Sequence, residues 1–254
     1  MYSETVTMIE VLLAIFTVTT IGATTQSLSG MGFGMIAAPV LVLLFGPTEG
    51  ILWGNMLGIV NAAMLLALKR KDTDWAIATR FTVAAIPTIA ITVAITHYIP
   101  LAPLEVIIGL LIVTMVVFSI AAPRLRSVSG PGPQYLTGAV GGFLSAAVAQ
   151  AGPAMVAYAQ ASRWEQKRFA ATLQAYFLAM NLFTVPLKWY SGLVADPQSI
   201  SVYTLGAAIG GLIAGTALSK PLQKHLQPST LRTFALVVAS VGAVTVLVRG
   251  FANL

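Results

Sequence analysis

Cysteine is absent from the 254 residues. That excludes disulfides, thiolate metal sites and thiol catalysis, and it says nothing about compartment. Charge is scarce too: 9% of residues are charged while 57% are hydrophobic, and mean hydropathy is strongly positive. No soluble domain of ordinary composition combines these values, so the chain reads as a polytopic membrane protein. The acids Glu4, Glu10, Glu49, Asp72, Asp74, Glu105, Glu165 and Asp196 all fall in loops or near the ends of apolar segments, which leaves no obvious buried proton relay. There are two histidines, His97 and His225, and the topology derived below puts them at opposite faces, where they share neither a metal nor a dyad. No metal or cofactor is expected. Glu4 and Glu10 stand where a signal peptide carries positive charge, so the N-terminus is expected to be retained. The net charge of +6 sits in short loops between apolar segments, where topology explains it, and nucleic-acid binding is discarded.

What is present is a series of apolar segments. Those long enough to span a core of ~30 Å are Ile51 to Leu68, Phe81 to Tyr98, Leu104 to Ala121, Phe169 to Leu187, Ile200 to Leu218 and Leu231 to Val248. Two more apolar regions, Met8 to Phe45 and Tyr135 to Ser162, are interrupted centrally. Their second limbs, Met35 to Phe45 and Pro153 to Ser162, reach only ~15–16 Å at helical rise. Each region is therefore read as a helical hairpin with its tip near the midplane.

The first interruption, QSLSGMGFGMIAAP from Gln26 to Pro39, carries Gly30, Gly32 and Gly34 at alternate positions. Glycine costs a helix interior up to ~1 kcal/mol relative to alanine, so a helix breaks there. Gln26, Ser27 and Ser29 precede the break, and a new helix follows whose free N–H groups point back at the glycines, the geometry of an anion site. The plainer reading is that the glycines allow close helix packing. The second interruption, SAAVAQAGPAM, carries Gln150 and then Gly152-Pro153, which suits the start of another helix or a plain turn. Two opposed N-termini, each with about half a positive charge, hold an oxyanion without a buried cation, and no basic residue falls inside a predicted span.

The two halves repeat. Leu101 and Pro103 fall on Leu226 and Pro228 at an offset of 125, Gly34 falls on Gly152 at 118, and Asn55 on Gln174 at 119. The predicted fold is all-α, with residues 1–123 as a first repeat (hairpin 8–45, spans 51–68, 81–98 and 104–121). Residues 124–134 form a cytoplasmic linker and 135–254 a second repeat (hairpin 135–162, spans 169–187, 200–218 and 231–248). Placing LKRKDTD in the cytoplasm puts twelve of the 14 basic residues inside, with Lys188 and Arg249 outside, as the positive-inside rule requires. The repeats are then inverted, both termini lie outside, and the expected location is the cell (inner) membrane. Inverted repeats with interrupted helices at the midplane are a transporter architecture.

Four amides lie within otherwise apolar spans: Asn55, Asn61, Gln174 and Asn181. Each must face protein or a wet cavity. Equivalent repeat positions favour a lining role for Asn55 and Gln174, while Asn61 and Asn181 stay open between lining and packing. Trp53, Trp75, Trp164, Trp189 and Tyr190 are read as interfacial anchors.

GMGFGMIAAP, followed by EGILWGNMLG and a basic loop, with a degenerate second copy, resembles the TauE/SafE sulfite exporter family, the anion permeases of the toluene-sulfonate-uptake type. The resemblance runs from about Ile9 to Val248. It implies transport of sulfite, thiosulfate, sulfonates and other sulfur-containing anions or small organic acids, with the glycine motif on Gly30, Gly32, Gly34 and Pro39. In the second copy Val148, Ala149, Gln150 and Ala151 stand where the family commonly has glycine, leaving Gly152.

The sequence thus points to a transporter, not an enzyme, whose partners are a small anion and the lipid bilayer; the oligomeric state, monomer or homodimer, stays open. The expected substrate-binding residues are Gln26, Ser27, Ser29, Gly30, Gly32, Gly34, Asn55, Gln150, Gly152 and Gln174. The rival readings are a transporter of a non-sulfur organic anion, an intramembrane hydrolase on Ser27 or Ser29, which lacks an adjacent base, and a non-catalytic membrane subunit, for which the short loops offer little docking surface.

Overall fold

A computed structural model describes residues 8–121, 128, 130–193 and 201–252. They form α1 (Met8–Ser29), α2 (Phe33–Phe45), α3 (Pro47–Lys69), a short 3₁₀ turn (Arg70–Asp72), α4 (Trp75–Thr96), α5 (Leu101–Ala121), α6 (Pro131–Val148), α7 (Gly152–Ala161), α8 (Gln166–Tyr190), α9 (Val202–Leu222) and α10 (Pro228–Ala252). Strands are absent among the described residues. The termini, Arg124, Arg126, Glu4 and Asp196 lie outside the described residues.

Six of these helices are long and apolar enough to cross a bilayer: α1, α3 with its 3₁₀ turn, α4, α8, α9 and Ser229–Ala252 of α10. The chain is a multi-pass membrane protein. Both interruptions are present, between α1 and α2 and between α6 and α7. The first hairpin is lopsided, because α1 has 22 residues, ~33 Å at helical rise and long enough to cross by itself, whereas α2 has 13.

Local chemistry sets the other boundaries. Gly46 at φ +84° closes α2 and admits Pro47 as the first residue of α3, the position where a missing N–H costs nothing. Asp74 caps α4, accepting from the Ile77 amide at 3.1 Å, and Ser201 caps α9, accepting from the Tyr203 amide at 3.2 Å. Inside the helices, threonine hydroxyls donate back to carbonyls one turn earlier, as Thr19 to Ile15 at 2.7 Å and Thr184 to Met180 at 2.8 Å. A hydroxyl among apolar neighbours needs such a partner.

Close packing is built on small residues. α9 runs along α1, where a Cβ on Gly211 or Gly215 would enter the Phe16 or Thr20 carbonyl, and Thr24 donates to the Gly215 carbonyl at 3.0 Å. α6 runs along α4 in the same manner: Gly138 sits on the Phe81 backbone and Gly142 on Ala85, and Thr88 donates to the Ala139 carbonyl at 2.8 Å. Glycines four apart let membrane helices approach this closely. α5 packs on α10 and α3 on α8. Large apolar side chains such as Ile91, Ile95, Val237, Val241 and Val248 face outward, while Gln26, Asn55, Ser145, Gln150 and Gln174 are buried. The interior is still largely apolar, and it is the apolar exterior that sets the molecule apart from a water-soluble one.

Three placements differ from the sequence expectations. Trp53 is no interfacial anchor: it is 1% exposed and stacks on Phe45 with ring centroids 5.4 Å apart, because α2 folds back along α3. Lys188 lies within α8 and is 3% exposed, so a basic residue does occupy a span. Glu105 is buried and paired with Arg249 at 3.3 Å, near a helix end as expected but not solvated.

Gly215→Ala is expected to destabilise the protein by ~1–3 kcal/mol through overpacking. Gly206→Ala, where an added Cβ meets nothing within 4 Å, should be neutral or stabilising by up to ~1 kcal/mol from helix propensity. Melting temperatures of the purified variants in detergent check the pair.

Candidate functional site

The break after α1 is set by two left-handed glycines, Gly30 at φ +85° and Gly32 at φ +122°, a conformation that costs glycine little and other residues much. Ending α1 there orphans its last carbonyls, and side chains from two other helices satisfy them. Lys69 Nζ donates to the Ser27 carbonyl at 2.5 Å, Gln166 Nε2 to Ser29 at 2.8 Å, and Gln174 Nε2 to Gly30 at 3.0 Å. Gln174 Nε2 also donates to the Ala170 carbonyl, while its Oε1 accepts from Gln26 Nε2 at 2.8 Å.

The break after α6 is made by Ala149, which is left-handed at φ +54° without being glycine. Its amide donates to the Ser145 carbonyl at 2.9 Å, closing α6 before α7 begins at Gly152.

The two breaks touch. A Cβ on Gly34 would collide with the Ala149 carbonyl oxygen, and one on Gly54 would lie 2.9 Å from the Ala149 Cβ. Between them lies a cavity of ≈ 40 Å³ lined by the first turn of α2, the turn before α7, and Gln26, Gly54, Gly58, Ser145 and Asn181. It exceeds the ~10–15 Å³ a single water requires. The first-turn amides of a helix have no partner within it, so the starts of α2 and α7, the latter without an N–H at Pro153, bring donors and partial positive charge to one space. Gln150 adds to this: it is 2% exposed, lines the cavity, and its Nε2 has no hydrogen-bond partner among the described residues.

The expected site residues separate into two groups. Gln26, Gly32, Gly34, Gln150 and Gly152 line the cavity. Ser27, Ser29, Gly30, Asn55 and Gln174 do not; they support it. Ser27 Oγ donates to Ser219 Oγ at 2.8 Å, and Ser29 Oγ bonds the Thr25 and Met31 carbonyls. Asn55 Oδ1 accepts from Ser145 Oγ at 3.4 Å, while its Nδ2 is buried and unpaired among the described residues.

Asn181, left open by the sequence, lines the cavity and shares Ser145 Oγ with Asn55. Ser145 was missed. The signal was present, because Ser145 falls on Gln26 at 119, the offset that relates Gln174 to Asn55, and Ala149 falls on Gly30 at the same offset. Both members of that last pair are left-handed.

The family model described as sulfite exporter TauE/SafE matches residues 14–246. No curated protein and no solved structure matches the chain.

Gln174→Leu is expected to destabilise the protein by ~1–3 kcal/mol, because it leaves the buried Gly30 carbonyl and Gln26 amide without partners. Gln150→Leu, which removes an unpaired buried amide, should leave stability unchanged or slightly raised. Thermal unfolding of both variants in anion-free buffer tests the contrast.

Proposed function

The chain belongs to the sulfite exporter TauE/SafE family, and from that premise we propose that it is a secondary transporter of a small sulfur-containing anion such as sulfite, thiosulfate or an organosulfonate. The observation that carries this reading is the meeting of two helix N-termini and the unpaired Gln150 amide at one cavity. Amide donors and helix dipoles recognise an oxyanion without requiring a fixed cation in the cavity wall.

Alternating access follows from the two halves rocking about this cavity, as in transporters built from inverted repeats. Support comes from the packing. α1 on α9 and α6 on α4 exchange when the halves are exchanged, as do α2 on α10 and α7 on α5, while α3–α8 and α5–α10 map onto themselves. Export is the favoured direction, since an interior negative by 100 mV contributes ~2.3 kcal/mol per unit negative charge leaving. The orientation proposed has both termini outside and the protein in the cell membrane. The hydrolase reading has no support at the site, because Ser27 and Ser29 spend their hydroxyls on Ser219 and on backbone carbonyls.

Flux into liposomes containing only this protein, measured across sulfite, thiosulfate, sulfonates and carboxylates, should be highest for a sulfur oxyanion; no flux for any of them refutes the reading. Gly32→Ala is expected to abolish flux per folded molecule, as φ +122° is denied to alanine and the new methyl meets Thr25 Cγ2 at 2.6 Å. Gln150→Leu should weaken anion binding by ~1–3 kcal/mol, read as a smaller anion-induced rise in melting temperature. Reporters fused at either terminus should both signal from outside, and a cytoplasmic signal would break the inverted-repeat orientation.

A further inference from the structure

We propose that Lys69 and Lys188 are paired anion stations, one at each end of the path through the central cavity; this rests on the transport reading above. The two lysines are 119 residues apart, the offset that relates Gln26 to Ser145 and Gly30 to Ala149 across the cavity. Each lies in the last turn of its helix, Lys69 on α3 and Lys188 on α8.

Their placement relative to the cavity is matched. On α3 the residues Gly54, Gly58, Asn61, Leu65 and Lys69 follow helical spacing down one face, and on α8 the residues Phe177, Asn181, Thr184 and Lys188 do the same. Gly58 and Phe177 line the cavity, and each lysine lies eleven positions beyond its own lining residue, ~16 Å of helical rise. The two helices run antiparallel: Gly58 abuts Asn181, while Thr73 and Asp74 beyond the end of α3 bond Ala171 and Thr172 near the start of α8. The lysines therefore stand at opposite ends of the pair, Lys69 toward the basic face and Lys188 toward the other.

Each interval between cavity and lysine holds one buried polar side chain beyond the lining. Asn61 on α3 is 0% exposed with neither side-chain polar atom paired among the described residues, and Thr184 on α8 is buried with its hydroxyl bonded to the Met180 carbonyl. A lysine that merely snorkelled to the interface would expose its ammonium; Lys188 is 3% exposed. Ionisable groups held inside a membrane protein at such cost mark ion pathways. Lys69 donates to the Ser27 carbonyl at the α1 break, a bond that an arriving anion would compete for, so occupancy of the station and the geometry of the break are linked.

The cysteine-free chain permits a direct test. Lys69→Cys and Lys188→Cys are reconstituted in known orientation, and radiolabelled sulfite uptake is followed from each face, before and after alkylation with bromoethylamine, which restores the charge, or iodoacetamide, which does not. The expected result is a KM raised roughly ten- to hundredfold, as for loss of one hydrogen bond to a charge, for entry from the face of the altered lysine only. Aminoethylation should reverse it and the neutral adduct should not. Should a cysteine variant fail to fold, Lys188→Met and Lys188→Arg replace it, with the KM rise expected for Met alone. A KM unchanged on both faces, a rise equal on both faces, or a loss of activity that follows melting temperature and ignores the restored charge overturns the stations. Wild-type protein that moves no anion refutes the transport reading itself, and is distinguished by being seen before any lysine is altered.

Discussion

A helix that stops inside a membrane protein leaves carbonyls with no water to accept them, and the rest of this molecule is arranged around meeting that demand. The end of α1 is held by Lys69 on Ser27, Gln166 on Ser29 and Gln174 on Gly30, while the Gln26 carbonyl accepts the Gly30 amide at 2.8 Å. These donors come from the end of α3 and the first half of α8. The break is thereby tied to the α3–α8 pair, and the same pair supplies Gly54, Gly58, Phe177 and Asn181 to the cavity wall.

At Gly32 and Gly34 close packing and a place in the cavity wall fall on the same residue. Gly34 must lack a side chain because the Ala149 carbonyl is pressed against it, and that close approach brings the start of α2 to the turn before α7. Gln150 is then buried at the cavity with an amide that nothing described satisfies, at a cost of ~1–3 kcal/mol unless a ligand or water answers it. The supporting amide Gln174 and the lining amide Gln150 have opposite hydrogen-bond states, which is the physical basis for assigning them different roles.

The halves differ where their surroundings differ. Buried Glu105 on α5 pairs with half-buried Arg249 on α10, and Arg249 Nη1 also donates to the Leu43 carbonyl near the end of α2; the residue at the 125 offset from Glu105 is Thr230, which cannot form an ion pair. α7 is shorter than α2, with 10 residues against 13.

The sequence by itself determined the membrane class, the order of the helices and both interruptions. Apolar length, glycine and proline act locally and are legible wherever they occur: the predicted span 169–187 lies within Gln166–Tyr190, and 51–68 within Pro47–Lys69. It also pointed to the family, and half of the ten site residues it singled out line the cavity. Only the tertiary structure decided which polar residue faces the cavity and which supports it. Gln174, within α8, and Gln150, in the turn before α7, carry the same amide, and what separates their hydrogen-bond states is whether an orphaned carbonyl lies within 3.0 Å. Burial of Lys188 was equally hidden, since two residues from a helix end reads as interface until the neighbouring helices are known to cover it. Contacts between residues more than a hundred positions apart leave no mark in composition or periodicity, because the donor and the orphaned carbonyl meet only when the two halves pack.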